Sequence, residues 1–193
     1  MIELLGIGVP RRADGWILRR VSARFGPELT VVVSSVPDER NAFLATIAGV
    51  RVPTEGRAWI EGIPVMVATK RLLGRRVADV RPSYGDPPAP RVDRLARDIA
   101  RTVRRRPEVL ILRDLDVSVG EHEMQSALAV VDVVRRSQRV AVILSMADIE
   151  RARRHAERLI VLAGGGVAFD GAPGDLEKTR PADGRRDVVP SRA

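Results

Sequence analysis

Two kinds of hydrophobic run alternate along this chain. Val31-Val32-Val33, Val109-Leu110-Ile111-Leu112, Val140 to Leu144 and Leu159 to Leu162 are short, unbroken and rich in branched side chains, the pattern of strands buried on both faces. Between them apolar residues recur at helical spacing. Phe43, Leu44 and Ile47 precede a terminating Gly49; Leu95, Ile99 and Val103 lie in a stretch ending near Arg106-Pro107; Leu128, Val131 and Val134 lie in 121–137; and 148–158 forms a further helix. Strands alternating with helices at these intervals predict an α/β fold with a mostly parallel sheet flanked by helices. The first 67 positions read differently. Two strands, 2–9 and 16–25, are joined by a turn at 10–15, with Ile17, Val21 and Phe25 facing inward, and Ala58-Trp59-Ile60, Glu61-Gly62 and Val65-Met66-Val67 spell a hairpin. That predicts an antiparallel β portion at the N-terminus.

Two stretches break the pattern. Residues 78–93 are rich in proline without apolar periodicity and are expected as a loop, and 177–193 is polar with Pro181 and Pro190, expected as a disordered tail. The rest, 1–176, is expected as one domain. In 193 residues no charge-free apolar run approaches the roughly 18 to 20 residues of a membrane-spanning helix, no signal-peptide pattern opens the chain, and there is no cysteine. A cytoplasmic location is the expectation.

The net charge of +8 is almost all arginine, since Lys70 and Lys178 are the only lysines. An Arg-rich module for nucleic acid or an anionic surface is one reading, centred on the helix 94–106. That helix lacks interleaved aromatics, with only Tyr84 nearby, which favours a solvated face, and a GC-rich genome gives the same arginine surplus. His122 and His155 lie on different helices without cysteine partners, so no metal site is expected.

The stretch 29–49 reads as strand, turn and helix, an arrangement that often sets a helix N-terminus beneath a phosphate chain. Its turn is Ser34-Ser35-Val36-Pro37-Asp38-Glu39, followed by Arg40 and Asn41. Pro37 has no N–H to offer, and Asp38 and Glu39 set carboxylates where the helix dipole already favours negative charge. Ser35 and Asp38 have the spacing of a capping box, Ser35 as N-cap.

Three further stretches carry a resemblance. The run from Ala48 through Val52-Pro53-Thr54-Glu55-Gly56 to Gly62, the helix-to-strand run 100–112, and 148–176 resemble, in the right order, scaffold segments of the ATP-binding cassette ATPases of ABC transporters. The resemblance implies a P-loop NTPase-like core. In that family the phosphate loop is G-x-x-G-x-G-K-[ST], whose glycines aim N–H groups at phosphate, whose Lys reaches the β and γ phosphates and whose hydroxyl holds Mg²⁺. It falls on 34–42, with Ser34, Pro37 and Glu39 at glycine positions, Arg40 for the Lys and Asn41 for the hydroxyl. The Walker B strand, 109–114, has Arg113 in place of the metal-binding Asp and Asp114 at the position of the catalytic Glu. The glutamine falls on Pro82, the switch histidine on Ala147, the signature on 89–93, and the helical subdomain reduces to the loop 78–93. The adenine-stacking aromatic falls near Arg12, with Trp16 close by as a substitute.

These departures imply a non-hydrolysing pseudo-ATPase that serves as a partner or regulatory subunit of a transport system. Its partner would be a protein: a competent cassette subunit, a second copy, or a membrane protein. The enzyme reading keeps weak or atypical ATP binding through Ser34, Ser35, Arg40 and Asn41; no metal, and no Mg²⁺ in particular, is expected. A charge left alone in the vacated site would be costly, so Arg113 is expected to pair with Asp38 or Glu39 across it.

Overall fold

A computed structural model describes residues 1–11, 15–81 and 91–179. The tail expected over 177–193 is described only to 179, where its first three residues continue the 3₁₀ segment Pro173–Thr179; the rest of it, and the positions 82–90 onto which the glutamine and part of the signature fall, lie outside the described residues.

Among the described residues ten strands form two sheets. Strands β1 (Ile2–Pro10), β2 (Trp16–Phe25), β4 (Glu55–Ile60) and β5 (Ile63–Pro64) make an antiparallel sheet in the order β2-β1-β4-β5. The second sheet has the order β10-β9-β3-β8-β7-β6. In it β3 (Thr30–Val33), β6 (Val77–Val80), β7 (Val109–Leu112), β8 (Ala141–Met146) and β9 (Arg158–Ala163) run parallel, and β10 (Gly166–Gly171) returns antiparallel along one edge. The α/β architecture with an N-terminal antiparallel portion is therefore the one the hydrophobic pattern predicts.

The parallel strands are apolar on both faces because both faces are covered. Helix α1 (Pro37–Ile47) packs on one side, where Phe43, Leu44 and Ile47 join Val32, Ile111 and Ile143 of the parallel sheet and Leu4, Val21 and Phe25 of the antiparallel one in a single core. On the other side α3 (Arg91–Val103) and α5 (Glu121–Gln138) supply Leu95, Ile99, Met124, Ala127 and Val131 to a second core with Val31, Leu110 and Leu144. Two short helices, α4 (Leu115–Ser118) and α6 (Ile149–His155), follow β7 and β8. The remaining one, α2 (Lys70–Arg76), has a single buried residue, Leu73, seated against Gly49.

Several boundaries differ from the sequence pattern. The stretch 78–93 is not loop throughout: it opens inside β6 and closes inside α3. The second arm of the hairpin is Ile63–Pro64, after which the chain turns into a 3₁₀ segment at Val67–Thr69. The capping box is also absent. Helix α1 begins after Val36, without a side-chain cap, and Pro37 takes the first helical position. Proline has the φ that position needs and lacks the N–H that would go unpaired there, so it outcompetes Ser35 as the start signal. Ser35 and Asp38 are left exposed.

Candidate functional site

The turn after β3 and the ends of β6, β7 and β8 meet at one edge of the parallel sheet, the usual ligand end of such a sheet. The side chains collected there are charged and buried. Ser34, Glu39, Arg40 and Arg113 are each 5% exposed or less.

Glu39 sits inside the turn. The Ser34 hydroxyl donates to its Oε2 at 2.6 Å, and the Gly165 N–H, from the β9–β10 turn, donates to its Oε1 at 2.8 Å. The backbone amides of the turn are used internally as well: the Val36 N–H donates to Ser34 Oγ at 3.0 Å, and those of Glu39 and Arg40 donate to the Val36 carbonyl at 3.1 and 3.4 Å. A phosphate loop leaves such N–H groups free to point at an anion. Here a hydroxyl and a carbonyl of the same chain take three of them, and the Glu39 carboxylate lies beside them.

Two guanidinium groups fill the rest. Arg40 donates from Nε to Asp114 Oδ1 at 3.1 Å and from Nη1 to the Ser34 carbonyl, and its Nη2 lies 3.1 Å from the same Asp114 oxygen. Asp114 also holds Ser145, whose Oγ accepts from the Asp114 N–H at 2.9 Å. Arg113 grips Asp79 with both prongs, Nε to Oδ1 at 2.7 Å and Nη2 to Oδ2 at 2.8 Å, and donates from Nη1 to Asn41 Oδ1 at 3.2 Å. The sequence pattern points to an acid of the α1 turn as the partner of Arg113. The structure replaces it with Asp79, because β6 lies beside β7 in register, Asp79 opposite Ile111 and Val80 opposite Leu112, and so carries its carboxylate to the strand end where Arg113 emerges. Asp38 is exposed and takes no part, while the Glu39 oxygens are satisfied from Ser34 and Gly165.

Of the residues singled out from sequence, Ser34, Arg40, Asn41 and Asp114 thus come together, and Ser35 does not. Asp79 and Ser145 join them without having been marked by any sequence motif, and Asp116, equally unmarked, holds the backbone after β8. Asp116 Oδ2 accepts from the Ala147 N–H at 2.7 Å and the Asp148 N–H at 2.9 Å, fixing the backbone where the switch position falls. Asp148 itself caps α6, accepting from the Glu150 and Arg151 N–H groups. A lone acid between Ala78 and Val80 in an otherwise buried run is the one signal the sequence holds for Asp79. Trp16 lies over Gly8 beside Glu55 in the antiparallel sheet.

Of the oxygens that would coordinate a divalent cation, both of Asp79, Oδ1 of Asp114 and Oδ1 of Asn41 accept from guanidinium groups. A hard cation needs several such oxygens unshared by another positive charge, so this donor set does not fit Mg²⁺. Among the described residues no three His, Cys, Asp or Glu side chains are grouped to hold a metal ion, His122 and His155 included. No helix among them is long and apolar enough to cross a membrane.

Comparison with known proteins agrees with this architecture. No family model matches the sequence. One curated relative, the phosphonates import ATP-binding protein PhnC of Thiobacillus denitrificans, is 25% identical over 126 residues, which is 62% of this chain and 49% of the relative; the matched stretch spans about half the relative's length. Among solved structures, cbiO1 from Clostridium perfringens, described as part of the ABC transporter complex cbiONQ, superposes with a TM-score of 0.78 at 13% identity over 92% of this chain and 90% of its own. MJ0796, described as a bacterial ABC transporter cassette, superposes with a TM-score of 0.72 at 13% identity over 90% and 99%. The chain therefore has the fold of the ATP-binding cassettes of ABC transporters and is similar to that family in sequence as well.

Proposed function

We propose that this chain is a non-hydrolysing cassette, a partner or regulatory subunit of a transport system that works on the cytoplasmic side of a membrane. One observation carries the reading: the two positions that elsewhere serve polyphosphate and metal hold Arg40 and Arg113, each neutralised by a carboxylate of the same chain, Asp114 and Asp79. A triphosphate entering between them would have to displace both carboxylates and would meet Glu39 as well. Mg²⁺ would meet two guanidinium groups. Electrostatic complementarity is already complete without nucleotide, which leaves little differential interaction to drive binding. The partner half of the proposal draws on the relatives, of which the Clostridium perfringens protein is described as part of a transporter complex.

The test is a titration of the whole chain with ATP, with and without Mg²⁺, followed by melting temperature, heat of binding and phosphate release. No Mg²⁺-dependent shift and no phosphate release above buffer are expected. Ligand at about 100 times its dissociation constant adds roughly 2.7 kcal/mol, a rise of several degrees in a chain of this size, so a working ATP site would be plain. Such a rise, dependent on Mg²⁺, overturns the proposal in favour of an ATP-binding subunit.

A further inference from the structure

Among the described residues five that are not glycine have a positive φ, and three of them, Glu61 at 49°, Arg106 at 50° and Arg139 at 53°, line one groove. The groove measures about 800 Å³ and runs between the first residue of the chain, the β4–β5 turn and the N-terminal ends of β7 and β8. It lies at the opposite end of the parallel strands from Ser34 and Asn41.

Arg106 follows α3 and Arg139 caps the C-terminus of α5, where the left-handed backbone ordinarily calls for glycine. Glycine adopts it without steric penalty; a side chain with a Cβ does not. Strain of this kind gathers where side chains are needed for something other than stability. Their charges are also unspent. Both guanidinium groups are exposed, and neither has an ion pair or side-chain hydrogen bond among the described residues. The acids of the groove are occupied: Glu61 pairs with the Met1 ammonium, and Glu108 accepts from Arg76 Nη1 at 2.7 and 3.0 Å. Among the described residues, the charges of the groove that have no partner are those of Arg106 and Arg139.

We propose that this groove binds a small dianion, a phosphate monoester or a dicarboxylate, between Arg106 and Arg139. Each guanidinium offers a planar fork of donors that matches the paired oxygens of phosphate or carboxylate. The groove, about 800 Å³, lies within the roughly 300 to 1,000 Å³ of small-molecule clefts and leaves room for such a dianion together with water. Ser137, whose hydroxyl donates to the Val134 carbonyl at 3.3 Å and can still accept, and Gln138 also line the groove as neutral polar residues. Among the described residues no aromatic side chain lines it to serve as a platform for stacking nucleic-acid bases.

Calorimetric titration of the whole chain at low salt with inorganic phosphate, glycerol 3-phosphate and succinate tests the assignment, alongside Arg106→Gly and Arg139→Gly. Saturable binding of at least one probe is expected, the phosphate and dicarboxylate arms deciding between the two ligand classes. Each glycine variant should weaken it on the order of tenfold or more, as loss of a charge-assisted hydrogen bond does. Because glycine relaxes the backbone at both sites, the melting temperature without ligand should hold or rise. Absence of binding by all three probes, or binding that survives both substitutions, overturns the proposal. So does a fall in melting temperature in both variants, which would make the arginines helix caps.

Discussion

Arg113 and Asp79 join the ends of two neighbouring strands through a two-pronged ion pair, 2.7 and 2.8 Å, with the guanidinium almost sealed and the carboxylate about one-fifth exposed. The backbone runs with it, since the Arg113 N–H donates to the Val80 carbonyl at 3.1 Å. Where a metal ion's carboxylate is expected at the end of β7, the sheet carries an internal cation, and the neighbouring strand supplies its counter-charge.

Removing one partner of this pair strands the other. Asp79→Ala leaves a buried guanidinium with Asn41 as its one remaining side-chain partner among the described residues, and the expected cost is about 3 kcal/mol by urea unfolding. The apolar double variant Arg113→Met/Asp79→Leu should cost clearly less than the sum of the single changes, because no charge then remains unpaired. A double variant that simply adds the two costs would show that the pair is not coupled.

Glu39 is predicted to be structural. Glu39→Ala orphans the Ser34 hydroxyl and the Gly165 N–H, and about 2 kcal/mol should be lost. The Gly165 carbonyl accepts from the Arg19 N–H at 2.7 Å, linking the turn to the antiparallel sheet. Amide exchange should therefore rise first at Gly165 and Arg19. Exchange unchanged at both would sink this link between the sheets.

Gly56 is predicted to tolerate no side chain. Its φ is +71°, and a Cβ would lie 2.4 Å from the carbonyl oxygens of Leu5 and Gly6, backbone atoms that cannot turn aside. Gly49, at φ +69°, would meet Leu73 Cδ1 at 2.7 Å, which can swing aside, and Leu73 Cβ at 2.8 Å, which moves only with the short helix α2 that carries it. Gly56→Ala should therefore destabilise more than Gly49→Ala, by about 3 kcal/mol or more against roughly 1 to 2. Denaturant midpoints of the two variants order them.

Acid should release the bond between α5 and the segment before β9. The Arg135 guanidinium, with Nη1 and Nη2 at 2.6 and 2.7 Å, holds the Glu157 carboxyl below its ordinary value; its partial burial opposes this, and the Leu29 N–H at 2.8 Å adds to the lowering. A carboxyl depressed in the folded state contributes stability that is present above its unfolded value and is lost as pH falls through the folded one. Glu157 is about half exposed, so the contribution is under ~1 kcal/mol. Glu157→Gln should flatten the stability curve slightly on the acid side and leave it unchanged in slope near neutrality.

Much of the scaffold is legible in the chain. Val31-Val32-Val33 and Val109 to Leu112 are apolar at every position because both faces of a parallel sheet are covered; a strand with one wet face would carry a polar residue at every second position. Helix α2 leaves no such mark, being one short Arg-rich segment with Leu73 as its single buried residue, and the glycines and exposed positions of β10 hide the alternation of an edge strand. At the start of α1 two signals compete, since Ser35 and Pro37 both open helices and the sequence does not rank them. Ser34, Arg40, Asn41 and Asp114 can be gathered from the resemblance to a family turn and strand, whereas Asp79 cannot, lying on a strand whose neighbour is unknown until the sheet is assembled.

By itself the sequence determined the alternation of strands and helices, the acidified turn with its proline, and the arginine at the end of β7, all matters of local pattern and composition. The tertiary structure alone decided which charges meet. An ion pair depends on strand order and register, and those are set by the packing of elements far apart in the chain: β6 beside β7 brings Asp79 to Arg113, and the fold of the same sheet brings Asp114 to Arg40 across 74 positions.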